Sequence, residues 1–141
     1  NSGINPVPIE AAMLAKEAGL TVIAITSLSH SKDVPSRHHT GKKLYQVADI
    51  TIDTHTPRGD SALPLEGSSL KVGATSTLSG IFIMQLLITE ASAVMQAQGY
   101  APPVVISANV PEGDAHNVTL KNRYFQQLSR YSVDTADIML D

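Results

Sequence analysis

NSGINPVPIEAAMLAKEAGLTVIAIT, residues 1–26, holds in order a polar glycine turn, a helix and an apolar strand. The turn is Asn1-Ser2-Gly3-Ile4-Asn5. Asn5 stands where an N-cap belongs, and Pro6 and Pro8 fall in the first helical turn, where a missing N–H costs little. Val7, Ala11, Leu14, Ala15 and Ala18 recur with the helical period, which predicts one inward face with Lys16 opposite. Gly19 supplies a left-handed stop. Leu20–Thr26 is nearly continuously apolar and β-branched, the pattern of a parallel strand covered on both faces. A turn of small polar residues that opens a helix is an anion site. Its N–H groups lack helical partners, and the helix dipole favours negative charge.

The pattern continues outward from that unit. Ser27–Thr40 reads as a polar loop rich in serine and histidine, longer than a structural connection needs. Gly41–Ala48 is predicted as a short helix with Leu44, Val47 and Ala48 inward, and Asp49–Asp53 as a second short strand. Residues 54–73 form an irregular excursion punctuated by Pro57, Gly59, Pro64 and Gly67. Thr75-Ser76-Thr77 opens a long helix to about Gln98, closed by Gly99, and Asp114 caps a final helix to about Tyr131. Alternation of helix and strand with short links indicates an α/β layered fold with parallel strands. Two or three strands do not make a doubly covered sheet, so a strand ending at Asn1 is expected in the intact protein; the alternative is pairing with a second copy.

Composition narrows the class. The 141 residues are 43% hydrophobic and 16% charged, as in a globular domain with a real core. A formal net charge of −3 argues against nucleic acid as the main partner. Without cysteine there is no disulfide framework, thiolate nucleophile or zinc–thiolate site, which fits a cytoplasmic protein. The apolar run Leu78–Val94 carries Gln85, Thr89 and Glu90, so it reads as a buried or interface helix and not as a membrane span.

Hydroxyl clusters carry the candidate chemistry. Ser2, Gly3 and Asn5 line the first turn; Thr26 and Ser27 stand at the carboxyl end of a parallel strand, where open α/β sheets bind ligands. Thr75, Ser76 and Thr77 repeat the chemistry at a second helix start. Two such helix starts facing one point would hold the phosphate and hydroxyls of a polyol phosphate. Arg37-His38-His39 with Lys42 and Lys43 offers cations for a phosphate or an acid–base imidazole, and His116 near the last helix start offers another. No metal site is expected, because adjacent histidines point apart and no carboxylate sits at useful spacing; no cofactor is called for.

These residues carry a resemblance. Ser2-Gly3-x-Asn5, Ala15-Lys16-Glu17-Ala18-Gly19 and Val22-Ile23-Ala24-Ile25-Thr26 resemble the sugar isomerase (SIS) domain. Ser36-Arg37-His38, Gly41-Lys42-Lys43-Leu44-Tyr45, Gly73-Ala74-Thr75-Ser76-Thr77 and Ser107-Ala108-Asn109 with Gly113-Asp114-x-His116-Asn117 narrow it to the subgroup labelled UPF0309 or phosphoheptose isomerase-like. The resemblance covers nearly the whole chain. It implies a three-layer, flavodoxin-like fold with a five-stranded parallel sheet between helices, of which these residues are the C-terminal part. It further implies a phosphosugar at the Ser2–Asn5 turn, sugar contacts at Ala74–Thr77, and a homodimer or higher homo-oligomer with Leu78–Val94 as the interface. Asn5 stands where Thr or Ser is usual, and the helix over Leu78–Val94 lacks the histidine of phosphoheptose isomerases.

The function expected is aldose–ketose isomerisation of a sugar phosphate through an enediol, which needs a base and oxyanion donors. His116 is the first candidate base and His38 the second, with Thr75 and Ser76 as donors. A non-catalytic phosphosugar sensor is the alternative.

Overall fold

The computed structural model describes residues 1–128. The chain is mixed α/β, with a short parallel sheet, a short antiparallel sheet and five helices among the described residues. It divides into a unit spanning Asn1–Leu87 and a second beginning at Ile88.

Helix α1, Pro6–Glu17, follows the turn, with Asn5 at its N-cap position; Ala18 closes it and Gly19 turns the chain at φ 76°. Strand β1, Ile23–Thr26, is shorter than the apolar run predicts. Helix α2, Leu28–Asp33, lies inside what the sequence presents as loop: the Ser27 side chain caps it by accepting the His30 N–H. Helix α3, Leu44–Val47, leads to β2, Ile50–Asp53. β2 pairs parallel with β1 from Ile23↔Ile50 to Thr26↔Asp53, so the carboxyl ends of both strands finish side by side. Helix α3 packs on β1, and α1 packs on α3.

The inward face of α1 is not the predicted one. Ile9 and Ala12 are buried, whereas Val7 is 79% exposed and Leu14 62% exposed. Apolar residues occur on both sides of this helix, so the period alone does not choose which side meets the sheet. Coverage of β1 on both faces is also corrected: Ala24 and Thr26 are buried, but Ile23 is 50% exposed and its partner Ile50 49% exposed.

The excursion over 54–73 contains a hairpin. Strands β3, Ser61–Pro64, and β4, Lys71–Ala74, pair antiparallel with Leu63 opposite Val72. Helix α4, Ser76–Ala97, follows, and Gly99 turns the chain at φ 82°. Among the described residues none of its side chains is buried; Leu78, Ile81 and Phe82 are 58–73% exposed. It is long and apolar enough to cross a membrane. In the second unit, α5, Gly113–Leu128, starts one residue before the expected cap; its predicted end at Tyr131 lies outside the described residues.

Candidate functional site

The opening turn is built from three sides. Gly3 is buried at φ 61°, a conformation costly for residues with a Cβ. A Cβ there would stand 2.9 Å from Thr26 Oγ1 and 3.2 Å from Leu44 Cβ, so both backbone angle and space require glycine. The Ser27 N–H donates to Asn1 O at 2.9 Å, and the Thr26 hydroxyl donates to the same oxygen. On the other side the Leu44 N–H donates to Gly3 O at 2.8 Å and the Arg37 N–H to Ile4 O at 2.9 Å. The turn is thus clamped between the end of β1 and the segment 37–44.

That clamp uses the carbonyl oxygens of Asn1, Gly3 and Ile4, and α1 starts directly after the turn. Asn5 makes no side-chain cap bond, so the helix opens without an internal acceptor from its own cap residue. Instead Asn5 Oδ1 accepts from Arg37 Nη1 at 3.3 Å, which brings a guanidinium to the turn. Ser2 is half-buried. Ser31 Oγ, fully buried, would lie 3.4 Å from a Cβ on Gly3 and has no hydrogen-bond partner among the described residues. A small anion here would meet backbone donors, hydroxyls and one arginine.

The strand ends add a polar floor. The Ser27 hydroxyl donates to Thr56 O at 2.6 Å while capping α2, and Thr56 Oγ1 donates to Asn1 Oδ1 at 2.7 Å. Asp53 Oδ1 accepts from the Leu28 N–H at 3.0 Å and the His55 N–H at 2.9 Å. Burial pushes the Asp53 carboxyl up, but these N–H groups outweigh it and hold the group below the usual carboxylate range. Thr26 and Ser27 are therefore buried supports of the turn, their hydroxyl protons committed to Asn1 O and Thr56 O.

The second helix start holds an anion of its own. The Ser76 N–H donates to Asp60 Oδ1 at 2.6 Å, the Ser76 hydroxyl to Oδ2 at 2.7 Å, and the Thr75 N–H to Oδ1 at 3.0 Å. The Thr75 hydroxyl donates to Asp60 O at 2.7 Å. The Ser76 hydroxyl most of all, helped by these backbone N–H groups, holds the Asp60 carboxyl below its ordinary value. Thr77 is exposed. The side-chain hydrogen bonds of Thr75 and Ser76 run to Asp60, not to the opening turn. No local signal marks Asp60, which lies 15 residues before Thr75 and itself adopts φ 74°.

The candidate bases are both tied. His38 has a fully buried side chain, with Nε2 2.6 Å from Glu10 Oε1 and Nδ1 2.7 Å from Thr40 Oγ1. The carboxylate that sequence spacing did not offer comes from α1, 28 residues away. His116 belongs to the second unit and is exposed; its Nε2–H donates to Val104 O at 2.8 Å. Asn117 beside it accepts from the Ile106 N–H at 3.0 Å and donates to Ile106 O at 2.7 Å, holding that segment against α5. His116 also lines a cavity of about 240 Å³ with Pro102, Pro103, Leu120, Arg123 and Tyr124.

A buried glycine turn opens a helix at the carboxyl ends of parallel strands, and the SIS domain family matches this part of the chain, residues 1–27. The chain is a relative of the UPF0309 proteins, as the sequence resemblance holds. It is 42% identical over 127 residues to one from Geobacillus thermodenitrificans, covering 90% of this chain and 51% of that protein. It is 44% identical over 124 residues to one from Halalkalibacterium halodurans, covering 88% of this chain and 51% of that protein. A UPF0309 protein of Listeria monocytogenes is 42% identical over 90% of this chain and 51% of its own length. The chain spans about half the length of the curated relatives it matches.

Proposed function

We propose that the chain binds the phosphate of a sugar phosphate at Ser2–Asn5 and takes part in aldose–ketose isomerisation. The observation that carries the binding is the Gly3 turn, whose carbonyls are clamped and which leads into the start of α1, where Asn5 makes no side-chain cap bond and meets Arg37. Residues 1–27 are also those the SIS domain matches. In this reading the phosphate takes the dipole end of α1 and the Arg37 guanidinium, and the three-layer flavodoxin-like arrangement is the frame of the intact domain.

Isomerisation moves a proton between adjacent carbons through an enediol and needs a base and donors for the developing oxyanion. His116 and His38 are the bases assigned; Thr75 and Ser76 would donate to the oxyanion only after giving up Asp60. A specific observation favours a second reading, phosphosugar sensing without turnover: both nitrogens of His38 and one of His116 are engaged by protein groups. Proton exchange at the substrate carbon, followed by NMR in deuterated water with a panel of aldose and ketose phosphates, separates the two. Exchange that is lost in His116→Ala supports isomerisation with His116 as base. Tight binding with no exchange supports sensing.

A further inference from the structure

We infer that Glu10, His38 and His39 form a binding site for a divalent ion of the zinc class. This rests on the side chains alone and not on the phosphosugar reading. Helix α1 presents Glu10 to the loop after α2, where two adjacent histidines converge on one carboxylate oxygen. His38 Nε2 lies 2.6 Å and His39 Nδ1 3.8 Å from Glu10 Oε1, and the ligand atoms of the three residues all lie within 4.8 Å of one another. Adjacent side chains usually diverge; here the two rings lie with centroids 4.2 Å apart, and a nitrogen of each comes close to the same Glu10 oxygen.

The spacing suits a small tetrahedral ion. Bonds of about 2.0–2.2 Å from zinc to imidazole nitrogen and carboxylate oxygen put neighbouring ligand atoms about 3.3 Å apart. The observed 2.6 and 3.8 Å lie on either side of that value. Closing the site needs the Glu10 oxygen to back away from His38 and His39 to swing in. Both moves belong to side chains with room for them: Glu10 is 48% exposed and His39 76% exposed. His38 is the fixed member, its side chain fully buried.

The outer partner needed to orient a ligating histidine is also present. Thr40 Oγ1 stands 2.7 Å from His38 Nδ1 and accepts the Lys42 N–H at 3.3 Å. Nδ1 also accepts the Thr40 N–H at 3.3 Å, so an ion on Nε2 would shift the ring proton to Nδ1 and make the Thr40 Oγ1 contact the orienting hydrogen bond. Two imidazoles and one carboxylate, with no thiolate, select a borderline ion such as Zn²⁺ over Ca²⁺ or Mg²⁺. Three protein ligands leave a fourth position for water or for an oxygen of a bound molecule.

Untagged chain, stripped with a chelator, is titrated with Zn²⁺ by calorimetry and with Co²⁺ by visible absorption. One ion per chain is expected, with a cobalt spectrum of tetrahedral intensity. Glu10→Gln and His39→Ala, both at exposed side chains, are expected to weaken Zn²⁺ at least ~10-fold, and Thr40→Val about 10–100-fold through the orienting bond. In the unsubstituted chain, Co²⁺ should displace the imidazole proton signals of both His38 and His39, a readout that does not depend on how a variant folds. Absence of binding, or Zn²⁺ affinity unchanged in both Glu10→Gln and His39→Ala, overturns the assignment, as do imidazole signals that ignore Co²⁺.

Discussion

At the scale of single residues, Gly3 is where the turn is most constrained. Its φ of 61° and the 2.9 Å that a Cβ would leave to Thr26 Oγ1 act together. The left-handed backbone alone costs an L-residue about 1–2 kcal/mol, so Gly3→Ala should lower the free energy of unfolding by at least about that amount in denaturant titrations. The same substitution should abolish sugar-phosphate binding, since the Cβ pushes the turn off the end of β1. Asp60 gives the second residue-level prediction. Its folded pKa is lowered, so its contribution to stability is complete above the ordinary carboxyl value of about 3.9 and is lost as pH falls through the folded value. Asp49, lowered first by its hydrogen bond from Lys16 and then by the Val22 N–H, works in the same direction. Denaturant midpoints should therefore drop as pH falls below about 4. Asp60→Asn should lose about 0.5–2 kcal/mol at pH 7, as expected for a weakened helix cap, and should show a shallower acid loss.

Elements with a strong local signature were legible in the sequence, and those fixed by distant partners were not. Pro6, Gly19 and the β-branched run mark α1 and β1 within a few residues, and the parallel pairing of β1 with β2 follows from the helix between them. Helix α2 is hidden because Ser27 sits inside a run of polar residues, where its role as cap is one reading among several. The β3–β4 hairpin is hidden because Pro64 and Gly67 read as interruptions of a loop. At the site, Ser2, Gly3 and Asn5 were visible as a turn, but the Arg37 contact to Asn5 and the Glu10 contact to His38 cross 32 and 28 residues. The Asp60 cap crosses 16 residues to Ser76 and turns a hydroxyl cluster that reads as a sugar site into a satisfied helix start.

At the scale of the whole molecule, α4 presents an apolar surface that is exposed among the described residues. Leu78, Ile81, Phe82 and Ile88 are each more than half exposed, and complete burial of such a side chain from water is worth about 1.5–3 kcal/mol. Glu90 on the same helix disfavours lipid as the cover. A second copy of the chain is the cover we propose. Light scattering over a dilution series should give a mass of twice the 15.0 kDa chain, shifting toward one chain in Phe82→Glu. A constant 15.0 kDa at high concentration would count against it.

Amide NMR of the unsubstituted chain during titration with a sugar phosphate tests the phosphate assignment most directly, with the same sugar lacking its phosphate as control. The Gly3, Ile4, Asn5 and Arg37 amide signals should shift in saturable fashion with the phosphorylated sugar and stay in place with the control. Saturable shifts confined to Thr75–Thr77 or to the second unit, or no shift at the opening turn, would contradict a phosphosugar site at Ser2–Asn5.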